Sequence, residues 1–372
     1  MKLVVISFAP FIKKNGHFLA YSPYIKEMEI WARHATEIAF VCPILKNDEE
    51  LLIAPIQFPI AKLFVVKEFN VKTFWNSIKA LQYSFWNFYQ LFRAMIWADH
   101  IHLRCPGNLG LMGCLVQVFF PGKVKTAKYA GNWDPKSKQP IAYRIQKWLL
   151  QNTFLTKNMQ VLVYGEWEDS SKNVKSFFTA SYSNKDKIEI LPRDLNAPLD
   201  FVFVGTLSVG KRPLYAIKIL QELQNKGIPC QLSFYGTGTE KASLEDYIQS
   251  HQLEKSVFLK GNYSHEAMKK VYQEAHFNIL PSRSEGWPKV IAEGMFWGCL
   301  PIATQISCVP TMLDFGNRGL LLTMNIKEDA EMIYDLIQNQ STYKEKAQKS
   351  MLWSRKYTLD LFESEIKNLL QA

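Results

Sequence analysis

The sequence predicts an α/β protein of two doubly wound, Rossmann-like domains, and three features support this fold class. The 372 residues are enough for two domains of ordinary size. Apolar strand-like runs alternate with longer helical patterns, as in parallel sheets covered by helices. A stretch with two prolines, 191–200, separates two such series and is interpreted as the interdomain linker. We therefore expect domains at 1–195 and 196–349 that face a cleft, with the final helical segment, 350–372, packed back on the first domain.

Each domain is expected to alternate strands and helices. In the first domain, strands are predicted at 3–8, 37–42, 100–103 and 161–165, and helices at 21–35 and 138–154. In the second, a βαβαβαβαβ series begins at FVFVGTL (201–207) and ends at LPIAT (300–304), and a last helical pattern covers 343–370. In open parallel sheets, ligands bind at the carboxyl ends of the strands, so the loops at those ends are the candidate sites.

The net charge of +10 lies entirely in the first half of the chain. Residues 1–195 contain 25 basic and 15 acidic side chains, whereas residues 196–372 contain 19 of each. This asymmetry suggests an anionic partner for the first half, such as a membrane surface, a nucleic acid or a phosphorylated substrate. A plain solubility surface is the alternative.

The cysteines and the hydropathy favour a cytoplasmic protein. The six cysteines form no C-x-x-C pair and stand mostly in apolar segments, as reduced core thiols do, and no Cys/His spacing indicates a metal site. No apolar run reaches the ~18 residues of a membrane span. The opening MKLVVISFAP is expected to be a first β-strand and not a signal peptide.

Two glycine-bearing loops of the second domain follow predicted strands. GTLSVGKRP (205–213) places Lys211 and Arg212 between a strand and a helix, where a lysine can neutralise a phosphate. YGTGT (235–239) follows the next strand, where its glycines let a nucleotide lie against the backbone. Plain tight turns would explain both loops equally well, and the phosphate-binding GxxxxGK[ST] loop does not occur in the sequence.

The stretch PSRSEGWPKVIAEGMFWGCLP (281–301) contains two glutamates eight positions apart. Glu285 is expected in a loop after a strand and Glu293 in the first two turns of an otherwise apolar helix, with Pro288 at the helix start. A carboxylate in apolar surroundings is costly unless it has partners. The hydroxyls of a bound ribose would be such partners, and a structural carboxylate satisfied by backbone or a base is the alternative.

The succession VGTLSxGK, GTG and PSxSEGWPKVIAEGMxxGCLPIAT resembles the retaining GT-B glycosyltransferases of family four. The most specific mark of that family is the E-x7-E element, here Glu285 to Glu293. The resemblance is strong over 200–325 and loose over the first half of the chain. It implies the GT-B fold and a bacterial transferase of the polysaccharide or glycolipid type.

The resemblance also implies roles for the matching residues. Glu285 would bind hydroxyls of the donor sugar, Glu293 would bind the ribose, and Lys211 would neutralise the diphosphate. The sugar and the phosphates would be held by the backbone amides of the segment Gly286, Trp287, Pro288, Lys289 and Val290. The nucleotide pocket would be shaped by Gly205, Gly236 and Gly238.

One departure from the family pattern concerns the diphosphate. The family usually has an arginine directly after the glycine of the first loop, and this chain has Thr206 there. Arg212 and Arg283 are the candidate substitutes, because both are predicted in loops at strand ends. Without a substitute, diphosphate binding and turnover would be in doubt.

The resemblance implies fewer residues in the first domain. A glycine-bearing loop follows the first strand of the family fold, here FAPFIKKNGH with Gly16. A histidine near the end of a later strand lies near the sugar, and His102 is the match and a third candidate catalytic residue. Arg104 and Asn108 are candidates on the acceptor side. For His102, a packed strand residue is the alternative.

The implied reaction moves a sugar from a nucleoside diphosphate to an acceptor hydroxyl with retention at the anomeric carbon. The leaving phosphate is the nearest base for the acceptor, so no side-chain nucleophile is required. Because the sequence has no D-x-D motif, protein cations are expected to stabilise the leaving group instead of a divalent metal. No cofactor is expected besides the donor, whose nucleotide is expected to be UDP or GDP.

The acceptor is expected to be lipid-linked or another saccharide. The stretch 67–97 is rich in aromatic and basic residues, as is typical of a helix that lies on a membrane, although a core-facing helix has a similar pattern. Its apolar residues at near-helical spacing are Phe74, Trp75, Ile78, Leu81 and Phe85. Together with the charge, this stretch suggests a cytoplasmic protein at the inner face of a membrane, on anionic lipid.

Three other functions are compatible with the sequence. A nucleic-acid-binding protein is suggested by the basic composition, but no stacking platform or base-reading motif is recognisable, so nucleic acid is not expected as a partner. A catalytically weak sugar-nucleotide-binding partner of another transferase is suggested by Thr206. An enzyme that isomerises a nucleotide sugar would turn over donor without any acceptor.

Overall fold

The computed structural model of the protein describes residues 1–14, 16–45, 53–68, 74–168, 170–191, 193–196 and 198–371, except for the side chains of 74–81. The chain divides into two compact units. The first contains Met1–Phe177 and the residues from Glu363 onward, and the second contains Phe178–Phe362. The division thus falls earlier than the predicted boundary at 195, and the return to the first unit begins later than residue 350.

The first unit is built around a doubly wound parallel sheet. Its described strands are β1 (Lys2–Ile6), β2 (Phe11–Lys14), β3 (His17–Tyr21), β4 (Glu37–Cys42), β5 (Ile44–Leu45), β6 (Ile53–Pro55), β7 (Lys62–Val65), β8 (His100–Cys105), β9 (Val124–Tyr129), β10 (Met159–Tyr164) and β11 (Val174–Phe177). Its helices are α1 (Ser22–Arg33), α2 (Phe74–Trp97), α3 (Asn108–Val116) and α4 (Ile141–Gln151). The order of the main sheet is β11-β10-β9-β8-β1-β4-β7, so the strand order reverses between β1 and β8.

A small second sheet, with the order β5-β2-β3-β6, accompanies the main sheet of this unit. Strands β2 and β3 form an antiparallel hairpin in which Lys14 pairs with His17. Gly16 lies in its turn with φ of +81°, a conformation that glycine adopts at little cost. The predicted glycine-bearing loop after the first strand is therefore mostly a β-hairpin.

The second unit repeats the doubly wound plan. Its described strands are β12 (Leu199–Val204), β13 (Cys230–Tyr235), β14 (Val257–Gly261), β15 (Phe277–Leu280), β16 (Leu300–Thr304) and β17 (Leu320–Leu322). The helices are α5 (Pro213–Asn225), α6 (Lys241–Ser250), α7 (His265–Glu274), α8 (Lys289–Phe296), α9 (Val309–Met312), α10 (Ile326–Ile337) and α11 (Gln340–Ser354), and α12 (Leu359–Gln371) ends in the first unit. The strand order is β14-β13-β12-β15-β16-β17, all parallel.

Strands β12 and β15 are neighbours in the core of the second unit. Both strands are apolar along most of their length, as expected for strands covered by helices on both faces. Phe201 and Phe277 are directly paired across the two strands, and their rings stack with centroids 4.7 Å apart. This packing brings together the carboxyl ends of two strands that are far apart in sequence.

The segment that precedes β12 packs on the second unit. The Tyr182 ring lies 4.8 Å from Phe296 and 5.1 Å from Trp297. The Arg193 guanidinium donates to the carbonyl oxygens of Tyr272 at 2.7 Å and Trp297 at 2.8 Å, at the ends of α7 and α8. A cation at helix carboxyl ends is favourable because the helix dipole is negative there. These contacts explain why the compact unit starts at Phe178 and why 191–200 lies inside it.

The helices differ from the predicted ones at one place. The helical pattern at 343–370 forms two helices, α11 and α12, separated by four residues. Thr358 Oγ1 accepts a hydrogen bond from the Leu361 amide at 3.3 Å, which starts the second helix. None of the helices in the described part of the chain has both the length and the hydropathy to cross a membrane.

Candidate functional site

The switch point of the second sheet lies between β12 and β15. From β12 the chain continues to β13 on one side, and from β15 it continues to β16 on the other. Connections that leave in opposite directions open a crevice at the carboxyl ends of the two strands, where ligands of this fold class bind. The loops after these two strands are 205–212 and 281–288, so the candidate site of the second unit is formed by both.

The first loop is fixed by backbone hydrogen bonds to the neighbouring strand end. The Gly205 amide donates to Tyr235 O and the Leu207 amide to Thr237 O, both at 2.9 Å. Thr206, which lies between Gly205 and Leu207, is exposed. The loop then turns so that Arg212 has φ of +52° and directly precedes α5, which starts at Pro213.

Glycine at 236 and 238 is required by this packing of backbone on backbone. A Cβ atom on Gly236 would lie 2.0 Å from Gly205 O, and one on Gly238 would lie 2.3 Å from Leu207 O. Either distance is a severe clash, and both residues have positive φ. The sequence suggested that these glycines make room for a nucleotide, and the structure supplies a second reason that needs no ligand.

The two loops meet through Lys211 and Glu285. Lys211 Nζ lies 2.5 Å from Glu285 Oε1, and the side chains are 28% and 10% exposed. Two residues that are separated by 74 positions thus form one ion pair at the switch point. A partly buried pair of this kind holds both side chains in place.

The same two loops also carry two arginines, Arg212 and Arg283. The Arg283 amide donates to Gly210 O at 2.8 Å, which ties the second loop to the first. Burial and the nearby Arg283 guanidinium lower the pKa of Arg212 from its ordinary value. No ion pair to either arginine occurs among the residues that the structure describes. We call Lys211, Arg212, Arg283 and Glu285 the open cluster, because its positive charges exceed its negative one.

The segment after Glu285 leads into α8. Gly286 O accepts from the Cys308 thiol at 3.1 Å, and burial raises the pKa of that thiol to about 12, so it stays protonated. The Trp287 ring stacks on Trp353 with centroids 6.1 Å apart. Pro288 is buried and precedes the first helical residue, one position earlier than a first-turn proline.

The first turn of α8 is held from β15. Asn278 Nδ2 donates to Val290 O at 2.7 Å. Lys289 is the first residue of the helix, and the first amides of any helix have no acceptor within it. These amides carry the positive end of the helix dipole, which favours an anion. The predicted segment from Gly286 to Val290 therefore leads directly into a helix start.

Glu293 lies one turn into α8 and has a partner that the sequence did not indicate. Its Oε1 accepts a hydrogen bond from Ser181 Oγ at 2.5 Å. The Tyr272 hydroxyl also lies near Glu293. Burial and the negative charge of Glu293 raise the pKa of this hydroxyl. Ser181 stands 112 residues before Glu293, in the segment that packs on the second unit, and no spacing or motif links the two.

In the first unit, His102 is not an exposed side chain. It is 0% exposed in the middle of the main sheet, with its ring 4.1 Å from Trp31 and Nδ1 2.9 Å from Thr126 Oγ1. Burial, followed by the charge of Arg104, lowers the pKa of His102 well below its ordinary value. The structure thus agrees with the alternative for His102, a packed strand residue.

The other acceptor-side candidates, Arg104 and Asn108, differ in their surroundings. Arg104 forms an ion pair with Glu27, and Lys128 Nζ lies 2.9 Å from the same carboxylate oxygen. Burial raises the pKa of Glu27, but Arg104 and Lys128 outweigh it and hold that pKa well below its usual range. We call Glu27, Arg104 and Lys128 the closed cluster. Asn108, in contrast, is exposed at the start of α3.

Comparisons with known proteins agree with this geometry. The family model of glycosyl transferases group 1 matches residues 186–351. An uncharacterised glycosyltransferase of Haemophilus influenzae is 29% identical over 188 residues, which are 49% of this chain and 52% of that protein. The poly(glycerol-phosphate) alpha-glucosyltransferase of Bacillus subtilis is 25% identical over 174 residues, 45% of this chain and 25% of that enzyme. The matches therefore span about half or less of these relatives.

Solved structures show the same fold over the whole chain. HepE of Anabaena, crystallised with UDP and glucose, aligns over 100% of both chains with a TM-score of 0.70 and 14% identity. WaaG, a glycosyltransferase involved in lipopolysaccharide biosynthesis, aligns over 100% of both chains with a TM-score of 0.66 and 11% identity. The predicted fold class is confirmed. Residues 186–351 thus match the glycosyl transferases group 1 model, and the chain has the GT-B fold of these solved structures.

Proposed function

We propose that the protein is a retaining glycosyltransferase that moves a sugar from a nucleoside diphosphate sugar to an acceptor hydroxyl in cell-surface polysaccharide or glycolipid synthesis. The observation that carries the proposal is the open cluster at the switch point between β12 and β15. A crevice with excess positive charge, a helix start and a carboxylate contains what a diphosphate sugar requires.

The diphosphate would be bound by the cations of the open cluster. In the absence of an anion, Arg212 and Arg283 repel each other, and a diphosphate between them would reverse that cost. These two arginines would replace the arginine that the family usually has where this chain has Thr206. Lys211 would add a third charge, and the first amides of α8 would complete the site.

The sugar and the ribose would be bound by the two glutamates. Glu285 is oriented by Lys211 and would accept hydrogen bonds from donor-sugar hydroxyls. Glu293 already accepts from one hydroxyl, that of Ser181, so a ribose hydroxyl would share or replace this bond. Both carboxylates would thus hold donor hydroxyls on either side of the helix start.

The transfer would proceed on one face of the sugar. The bond between the anomeric carbon and the β-phosphate oxygen breaks, the acceptor oxygen forms its bond on the same face, and the acceptor proton passes to the leaving phosphate. Lys211, Arg212 and Arg283 stabilise the negative charge that develops on the phosphate, so no metal ion is required. Magnesium-dependent turnover would contradict this part of the proposal.

UDP is the nucleotide that the comparisons favour over GDP. HepE was crystallised with UDP and with UDP-glucose, and the mutant TarM of Staphylococcus aureus with UDP, so proteins of this fold accept uridine nucleotides. The acceptor is proposed to be a saccharide or a lipid-linked saccharide at the cytoplasmic face of a membrane. This proposal is in line with the lipopolysaccharide enzyme WaaG and the poly(glycerol-phosphate) glucosyltransferase among the similar proteins.

The exposed Thr206 favours a second candidate function, a donor-binding partner of another transferase with little activity of its own. In that case Arg212 and Arg283 would bind the diphosphate without stabilising the transition state. The two candidates differ in turnover, because only the enzyme would release UDP from the donor in the presence of acceptor or water.

The test is calorimetric titration with UDP and GDP, followed by UDP release from UDP-sugars with and without EDTA. We expect one nucleotide to bind, with affinity at least tenfold lower in Lys211→Ala and Glu293→Ala. Lys226→Ala is the matched control, because Lys226 pairs with Glu331 at 2.5 Å on the exposed surface of the same unit. If neither nucleotide binds the wild-type protein, the proposal is overturned. Binding without any UDP release would favour the partner role instead.

A further inference from the structure

We infer that the outer faces of α2 and α4 in the first unit bind an anionic lipid bilayer. Helix α4 carries Ile141, Ile145 and Trp148 at intervals of four and three residues, and they are 73%, 43% and 59% exposed. The other side of this helix is buried, with Leu149 and Leu150 in the core. One face of α4 therefore packs in the unit, while a second apolar face is exposed as far as the described residues show.

Helix α2 has a similar exposed face. Phe85, Tyr89, Phe92 and Ile96 follow each other at intervals of four, three and four residues, and all of them are exposed. Of the apolar residues that the sequence singled out in this helix, Phe85 is described and exposed, and Phe74, Trp75, Ile78 and Leu81 lie outside the described side chains. We call the two exposed apolar stripes of α2 and α4 the apolar face.

The helix between them extends the apolar face. Helix α3 packs against both α2 and α4. Phe92 contacts the turn after α3, with its ring 6.0 Å from Phe119 and 4.9 Å from Phe120. Phe119 is itself 71% exposed. Exposed aromatic and aliphatic side chains on neighbouring helices form a surface of the kind that enters the interface of a bilayer.

The charge of this region identifies the partner as anionic. Residues 69–165 contain twelve lysines and arginines against two acidic residues, Asp99 and Asp134. Arg104 and Lys128 are paired with Glu27 and Lys125 is buried, so nine bases remain against these two acids. Both carboxylates already accept hydrogen bonds from backbone amides. Arg93 and Arg144, on α2 and α4, are exposed beside the apolar stripes.

Anionic headgroups would neutralise such bases while the apolar side chains enter the acyl boundary. A second copy of this chain would instead bring like charges together, so self-association through this face is disfavoured. The inference deepens the proposed function, since it gives the membrane on which a lipid-linked acceptor would be presented, and it rests on that function only for this purpose.

The test is sedimentation of the full chain with vesicles of phosphatidylcholine, with and without phosphatidylglycerol. We expect binding to the anionic vesicles that weakens with salt and is lowered about tenfold in Ile141→Ser/Ile145→Ser/Trp148→Ser. Arg144→Gln should weaken binding about fivefold, as expected for removal of one basic charge at the surface. The control is Phe315→Ser/Leu352→Ser, which removes two exposed apolar side chains of the second unit and should leave binding unchanged.

UDP titration of the same variants separates this inference from the proposed function. Normal UDP affinity with lost vesicle binding is the expected result for the triple variant. If wild type binds UDP but no anionic vesicles, or if the triple variant binds them as wild type does, the docking inference is overturned and the proposed function stands. A wild-type dimer that the triple variant abolishes would also overturn it, because the face would then bind a second copy. Vesicle binding without binding of UDP or GDP would overturn the proposed function alone.

Discussion

The closed cluster of the first unit and the open cluster of the second contain the same residue types, namely lysine, arginine and glutamate. They differ in the balance of positive and negative charge. In the closed cluster, Glu27 is 12% exposed and is held between Arg104 and Lys128. In the open cluster, Lys211 pairs with Glu285, while the nearby Arg283 lowers the pKa of Arg212. Buried charges are tolerated when they are paired, so the closed cluster supports the fold. Arg212 and Arg283, which form no ion pair within the described part of the chain, indicate a place for an anion.

The largest effect is expected at the closed cluster. Glu27→Gln keeps the shape of the side chain but leaves two buried cations without a counter-charge, which should lower the free energy of unfolding by about 3–5 kcal/mol. Urea denaturation measures the loss, and hydrogen exchange of the β8 and β9 amides assigns it to the first unit. The control Glu331→Gln breaks an exposed pair, and its loss of stability should be much smaller. Equal losses in both variants would contradict the comparison.

The open cluster should respond with the opposite sign in stability. Arg283→Gln removes one of two neighbouring cations, so the unliganded protein should be as stable as wild type or slightly more stable. The free energy of UDP binding should become less favourable by about 1.5–3 kcal/mol, which is the usual contribution of a hydrogen bond to a charged group. Thermal denaturation with and without UDP measures both effects. A clear loss of stability together with unchanged UDP affinity would mean that Arg283 is structural.

Acid should act first on the histidines beside the closed cluster. His100 Nε2 lies 3.0 Å from Thr126 Oγ1, and burial lowers the pKa of His100 from 6.5 to about 4. The unfolded chain therefore binds this proton first, so stability falls as the pH drops below 6.5 and stops falling near 4. His100 alone should account for about 1.6 kcal/mol of this loss between pH 6.5 and 5.

His100→Asn should flatten this slope, and His251→Asn, at an exposed histidine, should not. The Glu27 contribution has a separate window. Its folded pKa is lowered, so its stabilisation is complete above the unfolded value and is lost only at lower pH. Thermal unfolding measured across this pH range distinguishes the two. An unchanged slope in His100→Asn would show that this histidine is not buried as a neutral side chain.

The smallest effect is expected at the backbone contact between Gly236 and Gly205. Gly236→Ala forces a Cβ atom against Gly205 O and should shift the loop that carries Lys211. Gly227→Ala is the control, because Gly227 also has positive φ but nothing within 4 Å of the added atom. The clash should add about 1–2 kcal/mol of destabilisation beyond the control and weaken UDP binding. Identical stabilities in urea would show that the loop yields easily.

The loops of the site could be predicted from the sequence because their signals are local. A buried strand followed by glycine and lysine, or by an acid and a helix-starting proline, is recognisable within ten residues. The ion pair between Lys211 and Glu285 needs in addition the neighbourhood of β12 and β15, which follows from the strand order of doubly wound sheets. Thr358, three residues before the Leu361 amide that it caps, was a local signal for the division of the last helical segment.

The remaining features depend on contacts that no periodicity encodes. Ser181 reaches Glu293 across 112 residues, and Glu27 reaches Lys128 across 101. Histidine is a residue type that is common in active sites. The burial of His102 against Trp31, however, is decided by the packing of α1 on the sheet. Where a side chain is satisfied by a distant partner, the sequence indicates the residue type and leaves the partner open.

The bonds made by Arg193 and Ser181 determine where the chain can be cut. A fragment that starts at residue 196, between the two prolines, would expose the carbonyl ends of α7 and α8 and leave Glu293 without its hydroxyl. A fragment that starts at 178 would retain both residues. Limited proteolysis, truncation and domain exchange with other transferases should therefore use the earlier junction if the second unit is to fold and bind nucleotide by itself.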